Sequence, residues 1–258
     1  MFILNQLRLI IYENDQKQMC DYQKIENILN ENKFTNIENG FISIWKKNHL
    51  LEDNIPNVYY INLEVRTDRK QNLLSEFKKI NYPTENIIRV NAVKHKIGTL
   101  GCLQSHIICL ENGLKETNNC EYIMVCEDDF CFKNNETDTI YYLNSIFSNE
   151  FKDWNVILLA INGSSKNKMV HRHFYEVESG QTTSGYIIKK KYIPVLLKLW
   201  KDLYSRTKHT KTTPGHNDHI DQIWKKLQHD KWYVTKPVIG YQYASHSDIQ
   251  GGYVDYGI

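Results

Sequence analysis

The sequence predicts an α/β protein with a mostly parallel sheet and helices on both faces. Three observations carry that prediction. Short apolar, β-branched runs recur after Pro56. Between them lie segments with apolar residues at helical spacing. The most apolar run, Tyr122-Ile123-Met124-Val125-Cys126, has no polar face, as expected of a strand covered on both sides. Strands alternating with helices build βαβ units. In such sheets ligands bind beyond the carboxyl ends of the strands.

In chain order, Val58 to Leu63 is a predicted strand. Arg66 to Ile80 follows as a helix, with Leu73, Leu74, Phe77 and Ile80 on one face. Ile87 to Val90 is a short strand, and a helix starting near Thr99 carries Leu103, Ile107, Leu110 and Leu114. After the central strand, Tyr141 to Phe147 reads as helix and Trp154 to Ile161 as a buried strand. Thr183 to Ile188 is a strand, followed by a helix through Leu196, Leu197 and Trp200. Ile220, Ile223, Trp224 and Leu227 share a helix face, and Tyr233 to Gln242 is strand-like. Residues 1–55 are rich in Asn, Lys, Glu and Gln and only weakly periodic. Ile25, Ile28 and Leu29 predict one helix there, and Phe41, Ile42, Ile44 and Trp45 a short packed segment. They form a predicted N-terminal extension or small subdomain, bounded near Pro56, before a single domain over 56–258.

The 258 residues carry 32 basic and 30 acidic side chains, a net charge of +2, which argues against nucleic acid as the main partner. The six cysteines form no Cys-x-x-Cys pair and read as reduced thiols. Met1 to Ile11 is too short and too polar for a signal peptide, and no apolar span is long enough to cross a membrane. The expected location is cytoplasmic, with peripheral membrane association or a viral origin left open.

Chemistry concentrates in five places. Glu127-Asp128-Asp129 closes the central strand. Three carboxylates held together repel and lose hydration. A hard divalent cation relieves that cost, although an acidic triplet can also simply cap a turn. Asn62, Arg66, Asp68 and Arg69 follow the first strand and suit a nucleotide diphosphate, since guanidinium binds phosphate bidentately; Asp68 can instead begin the helix. Gly98, Gly101, Ser105 and His106 open a helix, where glycine permits close backbone approach and the N-terminus favours anions. Asp218 and Asp221 lie three apart at a helix start, and either can be a general base or a cap. Ser245-His246-Ser247-Asp248 follows the last strand, with His246 a candidate metal ligand or a surface histidine.

These pieces, in this order, resemble glycosyltransferase family 25. That family includes bacterial lipooligosaccharide galactosyltransferases and collagen hydroxylysine galactosyltransferases. The resemblance runs from Val58-Tyr59-Tyr60-Ile61-Asn62-Leu63 with Arg66, Asp68 and Arg69, through Ala92-Val93, Gly98, Gly101-Cys102 and Ser105-His106, to Glu127-Asp128-Asp129. It continues through Thr183-Ser184-Gly185-Tyr186-Ile187-Ile188, Asp221 and Gly251-Gly252-Tyr253. Residues 1–55 match nothing in that pattern.

The resemblance implies a GT-A-like fold and a metal-dependent hexosyltransferase. The enzyme would move galactose or glucose from a UDP-sugar, with inversion, to a hydroxyl of a glycan or hydroxylated protein. It implies Mn2+, or Mg2+, held by Asp129 with Glu127 or Asp128 and with His246 as a third ligand. Asn62, Arg66, Asp68, Arg69, Gly101, Ser105, His106 and Asp128 would contact the donor. Asp221 would be the base, with Asp218 the second choice. Two other classes stay open: a non-catalytic relative that binds sugar nucleotide or glycan, and a metal-dependent phosphoesterase.

Overall fold

A computed structural model describes residues 9–13, 27, 34–38, 42–47, 55–147, 151–171, 173–247, 249 and 251–255. Three strands of the N-terminal segment, β1 (Leu9–Glu13), β2 (Phe34–Glu38) and β3 (Ile42–Lys47), form their own antiparallel sheet in the order β1-β3-β2. Ile42, Ile44 and Trp45 of the expected packed segment fall in β3. Phe41 and the expected helix at Ile25, Ile28 and Leu29 lie outside the described residues.

The main body is an eight-stranded sheet. Its first strands are β4 (Val58–Asn62), β5 (Ile87–Asn91) and β6 (Tyr122–Glu127), and β4 pairs in parallel with both of the others. Past β6 come β11 (Gly185–Lys189), antiparallel to its two neighbours, and β8 (Val156–Leu158). Then β12 (Trp232–Thr235) runs parallel to β8. The hairpin β9 (Asn162–His171) and β10 (Phe174–Gln181) closes the edge. Following the pairings, β4, β5, β6, β8, β9 and β12 point one way and only β10 and β11 the other, so the sheet is mostly parallel, as the sequence predicts.

Both faces are covered because the central strands are apolar on both sides. Ile123 and Val125 of β6 face a core shared with α2 (Gly98–Leu114) and α4 (Ile193–Thr207). Tyr122, Met124 and Cys126 face the opposite core, shared with α1 (Thr67–Lys79) and α3 (Glu136–Phe147). Trp200, Trp224 and Trp232 lie in the first core, almost wholly buried. Each large apolar side chain buried in this way contributes about 1.5–3 kcal/mol of transfer free energy. No helix among the described residues is long and apolar enough to cross a membrane. The described cysteines are all free thiols.

Three segments depart from the sequence expectation. The β9–β10 hairpin was not anticipated. Its first strand, with Asn162, Ser164, Ser165 and Lys168, lacks an apolar face because it lies at the sheet edge. The expected strand over Tyr233–Gln242 is two strands in two sheets, since β12 ends before Pro237 and β13 (Gly240–Gln242) pairs with β7 (Phe130–Phe132) instead. Proline has no N–H for the ladder and is confined to strand edges and ends. The expected helix over Ile220–Leu227 is one α-helical turn, α5 (Ile220–Ile223), continued by a 3-10 turn. Near the C-terminus, β14 (Ser245–Ser247) pairs with β15 (Gly252–Val254).

The switch out of β6 positions the acidic turn. Glu127 N–H donates to the Ser184 carbonyl at 2.8 Å, fixing the end of β6 against β11. After Asp128 and Asp129 the chain enters β7, whose Phe130 is fully buried between two glycines. A Cβ at Gly185 would lie 2.6 Å from the Phe130 ring, and one at Gly240 2.3 Å from it. Tyr243 N–H then donates to the Asp129 carbonyl at 3.0 Å. The three carboxylates therefore sit on a turn clamped from both sides, beyond the carboxyl end of a central parallel strand.

Candidate active site

Asp128 and Asp129 are buried, and Arg69 from α1 reaches both. Its Nη1 donates to Asp128 Oδ1 and to Asp129 Oδ2, each at 3.0 Å. Its Nη2 donates to Ser245 Oγ at 2.6 Å and to the His246 carbonyl at 2.9 Å, tying the C-terminal hairpin to the acidic turn. Asn62, at the end of β4, donates to Asp128 Oδ2 at 2.7 Å. Arg89 donates to Asn62 Oδ1 at 3.1 Å and so orients that amide. Arg66 forms a two-pronged pair with Asp68, at 3.1 and 2.9 Å, and donates to the His246 carbonyl at 3.1 Å. That pair holds the Asp68 carboxyl down at about 2, chiefly through the Arg66 hydrogen bonds.

One guanidinium does not neutralise three carboxylates. Burial, then the Glu127 charge, push Asp129 up to about 7, against the pull of Arg69 and Gln242. Asp129 Oδ2 accepts from Gln242 Nε2 at 3.0 Å, but Asp129 Oδ1 is buried with no hydrogen-bond partner. A buried carboxylate oxygen left bare is costly unless a cation or proton meets it. Burial also raises Asp128, partly offset by Asn62 and Arg69. Glu127 goes the other way: burial raises it, but His106 and Thr183 outweigh that and hold it below the usual glutamate range. His106 Nε2 lies 3.2 Å from Glu127 Oε1, and Thr183 Oγ1 donates to the same oxygen at 2.5 Å.

The start of α2 forms the opposite wall. No side chain caps this N-terminus. Gly101 packs so closely on the strand-to-helix loop that a Cβ would lie 2.4 Å from the Val93 carbonyl oxygen. Ser105 Oγ donates to the Gly101 carbonyl at 2.7 Å and accepts from Val93 N–H at 2.9 Å, pinning that loop to the helix. His106 is fully buried, its Nδ1 3.2 Å from Tyr186 Oη.

Two cavities meet at Glu127. One, of about 240 Å³, is lined by Arg69, Gly98, Gly101, Ser105, Asp128 and Asp129, among others. The other, of about 410 Å³, is lined by Asp221, Thr182, Gln181, Gln222 and neighbouring groups. Glu127, Cys102, Gln242 and Ile249 border both. Thr182, between β10 and β11, has φ 70, a conformation β-branched residues rarely adopt. It aims its N–H at Asp221 Oδ2, 3.3 Å away, and its hydroxyl donates to Gln242 Oε1 at 3.0 Å.

Most of the residues singled out in the sequence therefore converge. Asn62, Arg69, Gly101, Ser105, His106, Glu127, Asp128 and Asp129 surround the first cavity or contact its walls, and Arg66 and Asp68 pair with each other beside it. Asp221 lines the second cavity. Asp218 does not border it and pairs with Arg206 at 3.3 Å. The His246 imidazole is exposed, and only its carbonyl meets the arginines. Among the described residues, one group of His, Cys and acidic side chains brings three ligand atoms within 4.8 Å of one another: Cys102, His106 and Glu127. Glu127, Asp129 and His246 are not gathered in that way. Asp248 lies outside the described residues.

Gln242, Thr182 and Ser245 were not singled out as functional from the sequence. Ser245 stands beside His246 in a polar run that did draw notice. Gln242 ends a strand-like stretch, and nothing in its spacing marks it.

Buried carboxylates beyond a strand end, an arginine across them and two adjoining cavities mark this as the candidate site. The model of glycosyltransferase family 25 (LPS biosynthesis protein) matches residues 96–212. It takes in the start of α2, the acidic turn and β11, and leaves outside it Arg66, Arg69, Asp221 and His246. No protein of curated function matches the chain.

Several solved structures resemble it in outline. A glycosyltransferase involved in glycosylating the major capsid of PBCV-1 is 7% identical, with 74% of this chain and 95% of that one covered and a TM-score of 0.45. A197 from STIV is 10% identical over 77% of this chain and 93% of that one, at a TM-score of 0.41. The galactosyltransferase LgtC, solved with donor and acceptor sugar analogues, is 10% identical over 76% and 91%, at 0.39.

Proposed function

We propose that the protein is a metal-dependent glycosyltransferase that moves a hexose from a UDP-sugar to a hydroxyl acceptor with inversion. The observation that carries this reading is the bare, buried Asp129 Oδ1 at the wall of a cavity whose neighbour holds a second carboxylate, Asp221. The donor set at the acidic turn is all oxygen, which suits Mn2+ or Mg2+. Asp129 would hold the ion with Glu127 or Asp128, and the ion would neutralise charge growing on the leaving diphosphate.

The chain's own residues do the rest. Arg69 keeps Asp128 and Asp129 in place and adds positive charge beside the diphosphate. The uncapped N-terminus of α2, with Gly101 allowing close approach, offers the phosphates the positive end of a helix dipole. Asp221 accepts the proton of the attacking hydroxyl. Thr182 N–H occupies its Oδ2, and its Oδ1 has no protein partner among the described residues. A nucleophile entering from one cavity and a leaving group departing into the other favour single displacement, hence inversion.

His246 contributes its carbonyl as the anchor for both arginines, and its exposed imidazole would have to turn inward to reach a metal. The free thiols of Cys102, Cys109, Cys120, Cys126 and Cys131 support a reducing, cytoplasmic setting.

The test is UDP release from UDP-galactose and UDP-glucose with Mn2+ and a panel of hydroxyl acceptors. Release that depends on both metal and acceptor supports the reading. An acceptor-stimulated release that survives Asp221→Ala undiminished contradicts the assigned base.

A further inference from the structure

The acidic turn offers only oxygen donors, but a mixed donor set meets beside it. We propose that Cys102, His106 and Glu127 form a separate site for Zn2+, whose remaining coordination position opens into the two cavities. Their ligand atoms all lie within 4.8 Å of one another. Nothing in the transferase reading uses a thiol, so this site is tested apart from it.

Local structure brings the three together. Cys102 and His106 are four apart on α2, so their side chains leave one face of the helix a turn apart. Glu127 ends β6 and reaches that face. Ligand atoms bound tetrahedrally to Zn2+ at about 2.0–2.3 Å stand about 3.3–3.6 Å from each other. His106 Nε2 and Glu127 Oε1 are already 3.2 Å apart, which leaves the thiol to close in by a side-chain rotation. Sulfur, nitrogen and oxygen donors together select a borderline-soft ion over Mg2+ or Mn2+, and four-coordinate geometry suits Zn2+.

The surroundings are prepared for a cation. The His106 ring stacks on Tyr186, with centroids 5.9 Å apart, and meets the Trp200 ring edge-on at 5.7 Å. Its Nδ1 is 3.2 Å from Tyr186 Oη. With Nε2 on the metal, the ring proton stays on Nδ1 and donates to Tyr186 Oη, the outer hydrogen bond that metal-bound histidines usually make. Thr183 Oγ1 donates to Glu127 Oε1 and holds that carboxylate in place. Burial pushes the Cys102 thiol well up, and the Glu127, Asp221 and Asp129 charges push it the same way, against a Thr183 hydrogen bond. Those three carboxylates also draw a cation to the sulfur. As Zn2+ binds, the S–H bond breaks, the sulfur electron pair goes to the metal and the proton leaves to solvent through the cavities.

Cys102 and Glu127 border both cavities, so a fourth ligand reaches the ion from either one. Three protein ligands and one open position are the pattern of a zinc site that acts on a ligand rather than one that only braces a fold. With Glu127 serving this ion, Asp128 is the carboxylate left beside Asp129 for the hard ion.

The experiment titrates the metal-free full chain, kept reduced, with Co2+ as a spectroscopic stand-in for Zn2+. The parent should bind one equivalent with a thiolate-to-cobalt absorption band and the strong visible bands of a four-coordinate ion, all displaced by Zn2+. Cys102→Ser and Cys102→Ala should lose the thiolate band and bind Zn2+ at least tenfold more weakly, measured against a chelating indicator. Cys120→Ser, at a half-buried thiol beyond the C-terminal end of α2, should keep both. Zinc X-ray absorption on the parent, which needs no variant to fold, should show one sulfur neighbour among nitrogen and oxygen.

No thiolate band in the parent, a band that survives both Cys102 variants, or a zinc shell without sulfur overturns the proposal. Stabilisation of the same parent by Mn2+ with UDP-galactose or UDP-glucose, followed by thermal shift, reports on the transferase reading separately. Its absence alongside a Cys102-dependent band sinks that reading and upholds the zinc site.

Discussion

Asp129 carries a large electrostatic tension, and its consequences are measurable. Its carboxyl holds a proton up to about 7 in the fold, against 3.8 for an ordinary aspartate. Between those values the folded chain binds more protons than the unfolded one, so stability falls as pH rises through that window. The metal-free protein should therefore melt at a lower temperature at pH 8 than at pH 5.5, other titrations being matched by the Asp129→Asn variant. That variant should be more stable than the parent at pH 8 and should lose the advantage below pH 6. A melting-temperature series with both proteins checks this.

Arg69 is the counterpart. Removing it leaves two buried carboxylates without their cation, a loss of about 3–5 kcal/mol for a buried pair. Arg69→Ala should cost that much at pH 8 and less at pH 5, measured by urea unfolding. Arg69→Lys should not restore it, because one ammonium cannot make the fork that spans Asp128, Asp129, Ser245 and the His246 carbonyl.

At the scale of elements, the strand carrying the acidic turn was the easiest to read. Tyr122 to Cys126 is apolar on both faces because α2 and α4 cover one side and α1 and α3 the other. The helices α1 and α4 were equally legible from residues such as Leu73, Phe77, Leu196 and Trp200. What the sequence hid are elements whose stability comes from partners distant in the chain. Strand β9 is polar and sits at an edge. Its Gly163, at φ 141, is required because a Cβ would meet the Ser179 carbonyl oxygen at 1.9 Å, a contact invisible without the fold.

Strand β13 exists because β7 pairs with it across Phe130. Gly240→Ala would force a methyl group into the Phe130 ring and toward the Leu159 carbonyl. Overpacking of this kind costs about 1–3 kcal/mol. Because the clamp also sets the acidic turn, the variant should lose metal-dependent donor binding more steeply than it loses stability. Calorimetric titration beside a melting curve separates the two effects.

At the scale of the whole molecule, the fold brings two cavities together at Glu127. The carboxylates, Arg69 and the α2 terminus came from three sequence segments that could be recognised singly, by charge beside a strand end or glycine before a helix. Their meeting with Gln242 and Thr182 could not be foreseen, because those two act through tertiary hydrogen bonds to Asp129 and Asp221. The division also predicts separable defects. Asp221→Ala should keep donor binding and lower transfer by at least about 100-fold, the usual loss when a general base is removed.

The most direct test of the central claim, that the acidic turn holds a metal and a sugar nucleotide together, is a thermal-shift titration with UDP-galactose and UDP-glucose. It would be run with and without Mn2+, on the parent and on Asp129→Ala. The account predicts stabilisation by at least one of the two only when metal is present, and none in the variant. Stabilisation that is indifferent to metal, or that persists in Asp129→Ala, would contradict it.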